Sequence, residues 1–388
     1  MRELPKITSA MLVVTHECNL RCRYCFVNKR PQIMTLDTAK AAARFLMENA
    51  KAAGGMTPEI NFFGGEPMLM YDSVIEPLVS WVHDELKEPF RFSVTTNGTL
   101  LTDGRIRFLK RHGFGLLLSM DGTAPVQDFN RPDSAGRGTF ERLRKIVPKV
   151  IAAWPGTTFR MTAVPQTCSH IFESIMWAAA QGFKSFFVVP NVFEEWDGDA
   201  RARLSAEIGK YADYYAECRE NGSAPILFSD FERAFTDMRN IALAEARGIY
   251  RQSPKCRADG KCGLGTSRFA SIHPNGDIYA CQEMTSAEGE DNPFYVGSIF
   301  SGVDNRRRRA LMDAYNALPV TGAYCSGADG SACEYDRICD GGCVANNYLV
   351  HASLNRLPEM YCWWRRELLH QAMRIKEGEH AERRDKRI

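Results

Sequence analysis

Three cysteines stand close together near the start of the chain, directly after an apolar segment. Cys18, Cys22 and Cys25 have the spacing C-x3-C-x2-C within the run THECNLRCRYCF. A [4Fe–4S] cluster takes four ligands, usually cysteine thiolates, so this loop would leave one iron for a ligand that is not protein. An open coordination position is what distinguishes catalytic metal sites from structural ones. The alternative is a zinc site, to which His16 could supply a fourth ligand.

A second motif, INFFGGEP, reads as a short apolar strand that ends in two glycines. Gly64 and Gly65 allow the backbone to approach a ligand closely, and Glu66 beside them offers an acceptor for an ammonium group. An ordinary turn between a strand and a helix would look similar if it stood alone. Asn97, in VTTNG, and Ser119, in LLSMDG, end two further apolar segments.

Strands and helices alternate from residue 8 to about residue 220. This alternation indicates parallel strands with right-handed crossovers, and therefore an α/β fold with its chemistry at the carboxyl ends of the strands. Helix N-caps are predicted within Thr35 to Asp37 and at Ser169, and a helix stop at Gly182. The predicted strands are Thr8–Thr15, Glu59–Phe63, Phe90–Thr96, Gly115–Met120, Thr157–Val164 and Lys184–Pro190, and the predicted helices are Thr35–Ala50, Tyr71–Leu86, Gly104–Arg111, Thr139–Ala152 and Ile171–Gln181.

Together these motifs resemble the radical S-adenosylmethionine (SAM) enzymes. The resemblance implies an open, partial (β/α)6 barrel in which the three cysteines hold the catalytic [4Fe–4S] cluster. The open iron would chelate the amino and carboxylate groups of SAM, and the reduced cluster would cleave SAM to a 5′-deoxyadenosyl radical. Gly64, Gly65 and Glu66 would face the SAM amino group.

The same resemblance suggests further SAM contacts. Tyr24 would lie against the adenine, and Asn97 and Ser119 would contact the ribose or carboxylate, although loop packing and strand capping are alternative roles. Arg131 and Arg160 are candidates for the SAM carboxylate or a substrate acid, and equally for surface ion pairs. Val189 may be assigned to the adenine site or to the core.

Eight further cysteines are concentrated between residues 256 and 362, at Cys256, Cys262, Cys281, Cys325, Cys333, Cys339, Cys343 and Cys362. Eight thiols make two sets of four. Before the third of them, the segment Ser271–Ala280 reads as a hairpin with an Asn275-Gly276 turn. Two four-thiolate zinc sites would satisfy the same chemistry.

This region resembles the SPASM domain of radical SAM peptide-modifying enzymes, except that seven residues separate Cys325 from Cys333 where two are usual. The resemblance implies two auxiliary [4Fe–4S] clusters, and three in all. One would be held by Cys256, Cys262, Cys281 and Cys343, and the other by Cys325, Cys333, Cys339 and Cys362. Other pairings remain open from sequence alone.

Composition and charge limit the classes of function that the chain could have. The net charge is only +2, with 45% hydrophobic and 25% charged residues, so no global field favours nucleic acid or membrane. The N-terminus lacks the apolar core of a signal peptide, and a cytoplasmic protein is expected. Expected domains are a radical SAM barrel over 1–220, a helical linker over 221–255, a SPASM domain over 256–365 and a charged helix or tail over 366–388.

The leading hypothesis is a peptide maturase that abstracts hydrogen from a residue of a ribosomally made peptide. This abstraction would lead to crosslinking (thioether or carbon–carbon) or to oxidation. A formylglycine-forming, anaerobic sulfatase-maturating enzyme is one alternative. In those enzymes an aspartate base follows the third auxiliary cysteine, whereas this chain has Gln282 there, and Glu283 next is the substitute candidate. A radical SAM dehydrogenase of a small metabolite and an iron–sulfur electron carrier are the others.

Expected partners are a peptide or protein substrate and an external electron donor of the flavodoxin or ferredoxin type. The chain starts almost directly at its first predicted strand, so leader recognition is expected from a separate protein, from the barrel itself, or not at all.

Overall fold

The structure is a computed structural model that describes residues 3–248, 263–286, 288–325, 333, 335, 339 and 341–385. Two predicted metal ligands, Cys256 and Cys262, lie outside these residues. Among the helices in the described ranges, none combines the length and the apolarity that a membrane crossing requires.

Strands and helices alternate through the first half of the chain. The strands are β1 (Ser9–Thr15), β2 (Glu59–Gly64), β3 (Arg91–Thr96), β4 (Gly115–Ser119), β5 (Thr158–Ala163), β6 (Ser185–Pro190), β7 (Leu227–Phe228), β8 (Phe269–Ile272), β9 (Asp277–Tyr279), β10 (Tyr295–Ser298) and β11 (Gly302–Val303). The α-helices are α1 (Leu36–Ala52), α2 (Glu76–Trp81), α3 (Asp103–Arg111), α4 (Ala124–Asn130), α5 (Phe140–Ala153), α6 (Ile171–Gln181), α7 (Gly198–Glu220), α8 (Ser229–Ala246), α9 (Asn305–Ala317), α10 (Val344–His351) and α11 (Glu359–Asp385).

The chain divides into two compact units. The first unit consists of Met1–Ser119, Pro132–Trp154 and Lys255–Leu318, and the second of Met120–Arg131, Pro155–Pro254 and Pro319–Ile388. Segments distant in sequence therefore fold together in each unit.

In the first unit the strand order is β11-β10-β9-β8-β1-β2-β3-β4. Strands β1 to β4 are parallel neighbours. Strand β8 pairs with the other side of β1, also in parallel, with Phe269 opposite Ser9, and β9 and β10 continue the sheet in antiparallel. Because parallel strands end at the same edge, the segments that follow β1, β2, β3 and β8 meet there.

Alternating side chains build the core of this sheet. Along β2, Ile60 and Phe62 are buried while the residues between them are only half-buried. The Phe62 ring stacks on Phe92 and Phe114, with centroids 6.2 and 5.9 Å away. Burying a phenylalanine contributes about 1.5–3 kcal/mol, so these rings fix the strands that carry the site.

Helix α1 follows the cysteine loop and covers the sheet with a small apolar face. The Thr35 hydroxyl caps it by accepting a hydrogen bond from the Thr38 N–H at 3.1 Å, as predicted. Its buried residues recur at helical spacing: Ala39, Ala42, Ala43, Leu46 and Ala50. The alanines allow the helix to pack closely.

The second unit has the parallel order β5-β6-β7 and an aromatic core. The Tyr211 ring of α7 contacts Phe186, Phe228 and Phe231, with centroids 5.6, 5.7 and 5.3 Å away. Its hydroxyl donates to the Ile226 carbonyl oxygen at 2.8 Å, so the buried polar group is satisfied.

The predicted fold class, an α/β partial (β/α)6 barrel, is confirmed. Each of the six predicted strands is present to within one residue at either end, and Tyr71–Leu86 is helical throughout, with π-helical turns on both sides of α2. Gly182 ends α6 with φ +105°, as expected of a helix stop. The Ser169 cap is wrong: Ser169 lies inside a 3-10 turn, Cys168–His170, that precedes α6. Helix α4 was not predicted.

Candidate metal centre and SAM site

The cysteine loop begins at the carboxyl end of β1 and ends before α1, and hydrogen bonds between its two ends close its base. The His16 N–H donates to the Gln32 carbonyl at 2.9 Å, and the Met34 N–H to the Val14 carbonyl at 2.8 Å. Thr15 and Ile33 form an antiparallel bridge between them. The loop therefore projects from a fixed stem, and its three cysteines stand at the sheet edge that the sequence predicted.

Cys18, Cys22 and Cys25 are all half-buried. Fully buried Leu20 anchors the loop between them. Burial raises the pKa of the Cys18 thiol to about 12, and the negative charges of Glu66 and the other two cysteines raise it further. Three thiolates crowded in this way need a cation to offset their repulsion. The soft thiolate donor set therefore fits an iron–sulfur cluster.

The two glycines after β2 touch the start of the cysteine loop. The Gly65 N–H donates to the Thr15 carbonyl at 2.8 Å, and the Glu66 N–H to the Glu17 carbonyl at 2.9 Å. A Cβ atom at Gly64 would lie 2.1 Å from the Thr15 oxygen, and one at Gly65 would lie 2.1 Å from the Glu17 oxygen. Only glycine permits this close approach, so the two glycines allow the turn after β2 to pack directly against the start of the cysteine loop.

The Glu66 carboxylate is buried and already engaged. One oxygen accepts from the Thr96 hydroxyl at 2.7 Å and the Met68 N–H at 3.0 Å, and the other from the Asn97 N–H at 2.8 Å. Burial raises its pKa, and these hydrogen bonds oppose that rise. A carboxylate accepts about four hydrogen bonds, which leaves about one acceptor position for an ammonium group.

Asn97 connects the end of β3 with the cysteine loop. Its side-chain amide donates to the Asn19 carbonyl oxygen at 3.0 Å and lies 3.9 Å from the Cys18 sulfur. The Asn19 amide donates to the Thr99 hydroxyl at 2.8 Å, which in turn donates to the Asn97 oxygen at 2.6 Å. Sequence reasoning missed Asn19 and Thr99; their one signal is a polar side chain directly beside a motif residue.

Two other predicted SAM contacts belong to the first unit. Tyr24 is half-buried within the loop, and Ser119 is half-buried as the last residue of β4. Both therefore keep part of their surface accessible to a ligand.

The remaining predicted SAM contacts belong to the second unit, where Arg160 on β5 and Val189 on β6 are half-buried. Arg131 is buried and forms an ion pair with Asp121 through two nitrogen atoms, at 3.0 and 3.1 Å. Asp121 also accepts from the Thr162 N–H at 3.0 Å. This pair is interior, not on the surface, and it ties α4 to β5.

Of the first predicted auxiliary set, Cys281 and Cys343 are described. Cys281 is the second residue after β9 and is buried, and its sulfur lies 3.7 Å from the side-chain oxygen of Gln282. The Gln282 amide donates to the Glu283 carboxylate at 3.5 Å. Cys343, in the second unit, is the N-cap residue of α10.

The second predicted set lies together in the second unit. Burial raises the pKa of Cys362 to about 12, and the neighbouring charges of Cys325, Cys339 and Cys333 raise it further. A Cβ at Gly322 would lie 3.1 Å from the Cys362 sulfur and 3.5 Å from the Cys325 sulfur. Four converging thiols over a glycine fit a four-thiolate iron–sulfur or zinc centre.

Parallel strands that carry a three-cysteine loop and a glycine-lined seat at their carboxyl ends define a class of SAM-dependent iron–sulfur proteins. Residues 12–178 match the family model described as the Radical SAM superfamily. The chain therefore carries a radical SAM domain, and it is similar to the anaerobic sulfatase-maturating enzymes. For that domain, the class implies a [4Fe–4S] cluster and SAM.

Known relatives match far beyond that domain. The chain is 25% identical over 353 residues to a serine-type anaerobic sulfatase-maturating enzyme of Klebsiella aerogenes, covering 88% of this chain and 80% of the relative. It is 20% identical over 358 residues to a cysteine-type enzyme of Clostridium perfringens, covering 88% and 89%.

Solved structures share the fold. The native sulfatase-maturating enzyme anSMEcpe, bound to AdoMet and the Cp18Cys peptide, superposes with a TM-score of 0.69 at 18% identity, over 96% of this chain and 99% of that one. Streptococcus suis SuiB, bound to its precursor peptide SuiA, gives 0.60 at 18% identity over 92% and 76%.

Proposed function

We propose that this enzyme oxidises a side chain of a peptide or protein substrate, and that it does so in a maturation reaction of the kind for which the sulfatase-maturating relatives are named. One observation carries the proposal: the similarity to those enzymes extends over 88% of the chain, far beyond the radical SAM domain at residues 12–178. A small-metabolite dehydrogenase would not account for similarity of that extent. An electron carrier would have no evident use for the close contact of Gly64 and Gly65 with the cysteine loop, or for the hydrogen-bonded Glu66 carboxylate.

Cys18, Cys22 and Cys25 would hold the catalytic [4Fe–4S] cluster, with Gly64, Gly65, Glu66 and Asn97 around its SAM. When bound, these groups would supply a 5′-deoxyadenosyl radical for hydrogen abstraction, and two auxiliary clusters would supply a sink for the second electron. The proposed auxiliary ligands are the two sets of four cysteines named above. The described cysteines among these ligands are half-buried or buried, which shields their sulfurs from water and suits ligation to iron.

The chain's own contribution is to take up the substrate proton. After loss of the hydrogen atom, a serine side chain becomes an aldehyde by losing one electron and one proton. A cysteine side chain gives a thioaldehyde in the same way, which water converts to the aldehyde with release of hydrogen sulfide. Glu283 is half-buried beside Cys281 and accepts a hydrogen bond from Gln282. A carboxylate is a suitable base for such a transfer, and we assign that role to Glu283.

Crosslinking is the second candidate, and Gln282 is the observation that favours it. An amide at the position of the sulfatase-maturase aspartate cannot accept a proton. Crosslinking to a thioether or carbon–carbon bond would start from the same hydrogen abstraction. In either case the proposed partners are an external flavodoxin- or ferredoxin-type electron donor and, for a leader peptide, a separate binding protein.

The test uses anaerobically reconstituted enzyme with SAM, a reductant and peptides that carry a single target serine or cysteine. We expect about twelve irons per chain, 5′-deoxyadenosine formed in step with product, and an aldehyde product that hydrazide reagents trap. Glu283→Gln should stop aldehyde formation, whereas Gln282→Asp should retain or increase it. Glu290→Gln, on an exposed residue nearby, is the matched control. A crosslinked product without aldehyde would favour the second candidate, and SAM cleavage without any peptide change would overturn both.

A further inference from the structure

A buried polar network lies at the base of the cysteine loop. It consists of His16 and Arg30, which flank the three cysteines, and His273 and Glu288, which come from the region around Cys281. Both histidine side chains are fully buried, and that of Glu288 is 14% exposed. All four residues belong to the first unit.

The sheet brings these distant segments together. Strand β8 pairs in parallel with β1, with Ile272 opposite Leu12, so both strands end at the same edge. His273 is the first residue after β8, held in the hairpin turn by its N–H bond to the Asp277 carbonyl at 2.9 Å. His16 is the first residue after β1.

The hydrogen bond from Arg30 fixes the position of the ring proton in His16. The Arg30 Nε–H donates to His16 Nδ1 at 2.8 Å. Because a guanidinium can only donate, Nδ1 carries a lone pair and the ring proton lies on Nε2. That atom is 3.3 Å from Glu288 Oε1, and His273 Nδ1 is 2.7 Å from the same oxygen. A second Arg30 nitrogen pairs with Glu288 Oε2.

Two histidines and a carboxylate, with ligand atoms within 4.8 Å of one another, could also hold a divalent metal. Two features oppose this. A ligating nitrogen needs its lone pair, whereas the Arg30 bond leaves His16 Nε2 protonated. The guanidinium also places a positive charge beside the site, where a metal would add more. The donor pattern therefore favours a hydrogen-bonded network.

We propose that Glu288 is a positioning residue that fixes the base of the cysteine loop, and with it the SAM-binding cluster, against the segment that follows Cys281. Its one carboxylate contacts both flanks of the loop, His16 and Arg30, and also His273. The inference rests on the proposed cluster at Cys18, Cys22 and Cys25. Without the carboxylate, the Arg30 guanidinium and the His273 ring would lose a hydrogen-bond acceptor, and His16 Nε2 would lose the negative charge 3.3 Å away, so the loop would open more often.

The experiment compares Glu288→Gln with the wild-type holoenzyme. Hydrogen–deuterium exchange of residues 17–33 reports loop opening, equilibrium dialysis reports SAM affinity, and electron paramagnetic resonance reports how SAM changes the signal of the reduced cluster. We expect loop exchange and the SAM dissociation constant to rise about tenfold or more, with an altered SAM-induced signal and an unchanged iron content.

Two further variants complete the design. Glu290→Gln, on an exposed residue of the same segment, should behave as wild type. Arg30→Lys keeps the charge but lacks the planar group that reaches two acceptors, so it should give an intermediate effect, and it decides the question if Glu288→Gln does not fold.

Unchanged loop exchange and SAM affinity in Glu288→Gln and Arg30→Lys would overturn the inference. So would a stoichiometric divalent metal in the wild type that Glu288→Gln loses. A wild type that binds neither iron nor SAM would instead overturn the proposed function. The inference about Glu288 could still be tested in that case, because loop exchange can be compared between the apoproteins.

Discussion

Replacing Gly65 with alanine probes the contact between the turn after β2 and the cysteine loop. The new Cβ would lie 2.1 Å from the Glu17 carbonyl oxygen and 2.8 Å from that of His16. Both atoms belong to the backbone, so no side-chain rotation relieves the overlap. The effect is therefore steric, and the loop or the turn must move.

The cost can be worked from the bonds that such a movement breaks. The Gly65 N–H bond to Thr15 and the Glu66 N–H bond to Glu17 are each worth about 1 kcal/mol. Overlap in a packed region adds about 1–3 kcal/mol. We therefore expect Gly65→Ala to lower the free energy of unfolding by about 3–5 kcal/mol and to weaken SAM binding.

Denaturant unfolding under anaerobic conditions measures the first effect, and equilibrium dialysis the second. Gly104→Ala is the matched control, because its Cβ would meet only the Thr102 hydroxyl oxygen, 3.8 Å away, near the start of α3. Alanine should stabilise that helix by about 0.5–1 kcal/mol. A Gly65→Ala protein as stable as wild type, with unchanged SAM affinity, would refute the reasoning.

Three other outcomes are expected. Arg131→Met should lower the free energy of unfolding by about 3–5 kcal/mol, because it leaves Asp121 buried without its partner; weaker SAM binding with unchanged unfolding would contradict this. Asp304→Ala should cost α9 about 1 kcal/mol in denaturant unfolding. The pKa of Asp304 is held below its usual value by two backbone N–H bonds, so its stabilisation should be present at neutral pH and be lost as pH falls through that lowered pKa, unlike in Asp304→Asn. Cys343→Ser and Cys362→Ser should each remove about four irons and together about eight, whereas a double variant that loses only about four would show that they share a cluster.

The sequence was most informative where its signal is local. Apolar alternation between Glu59 and Gly64 and helical spacing after Thr35 predicted β2 and α1, because period and capping depend on neighbouring residues. The cysteine spacings predicted both ligand-rich regions for the same reason. Helix α4 is only seven residues long, too short for a clear periodic signal.

Contacts between distant residues could not be predicted in this way. Arg30 and Glu288 are 258 positions apart, and only the pairing of β8 with β1 makes them neighbours. Arg131 looked equally suited to a ligand or to an ion pair, because a sequence does not say which carboxylate packs against a guanidinium. Its partner Asp121 is the second residue after β4, in the same LLSMDG motif as Ser119.

The pairing of β8 with β1 also bears on how the protein can be divided. A chain truncated before residue 255 would leave β1 as the margin of its sheet, with unpaired backbone groups open to any neighbouring strand. Exchange of the C-terminal region between relatives would succeed only if the donor brought a strand matching that register. The strands between residues 269 and 303 of the cysteine-rich region are thus a continuation of the sheet that begins with β1.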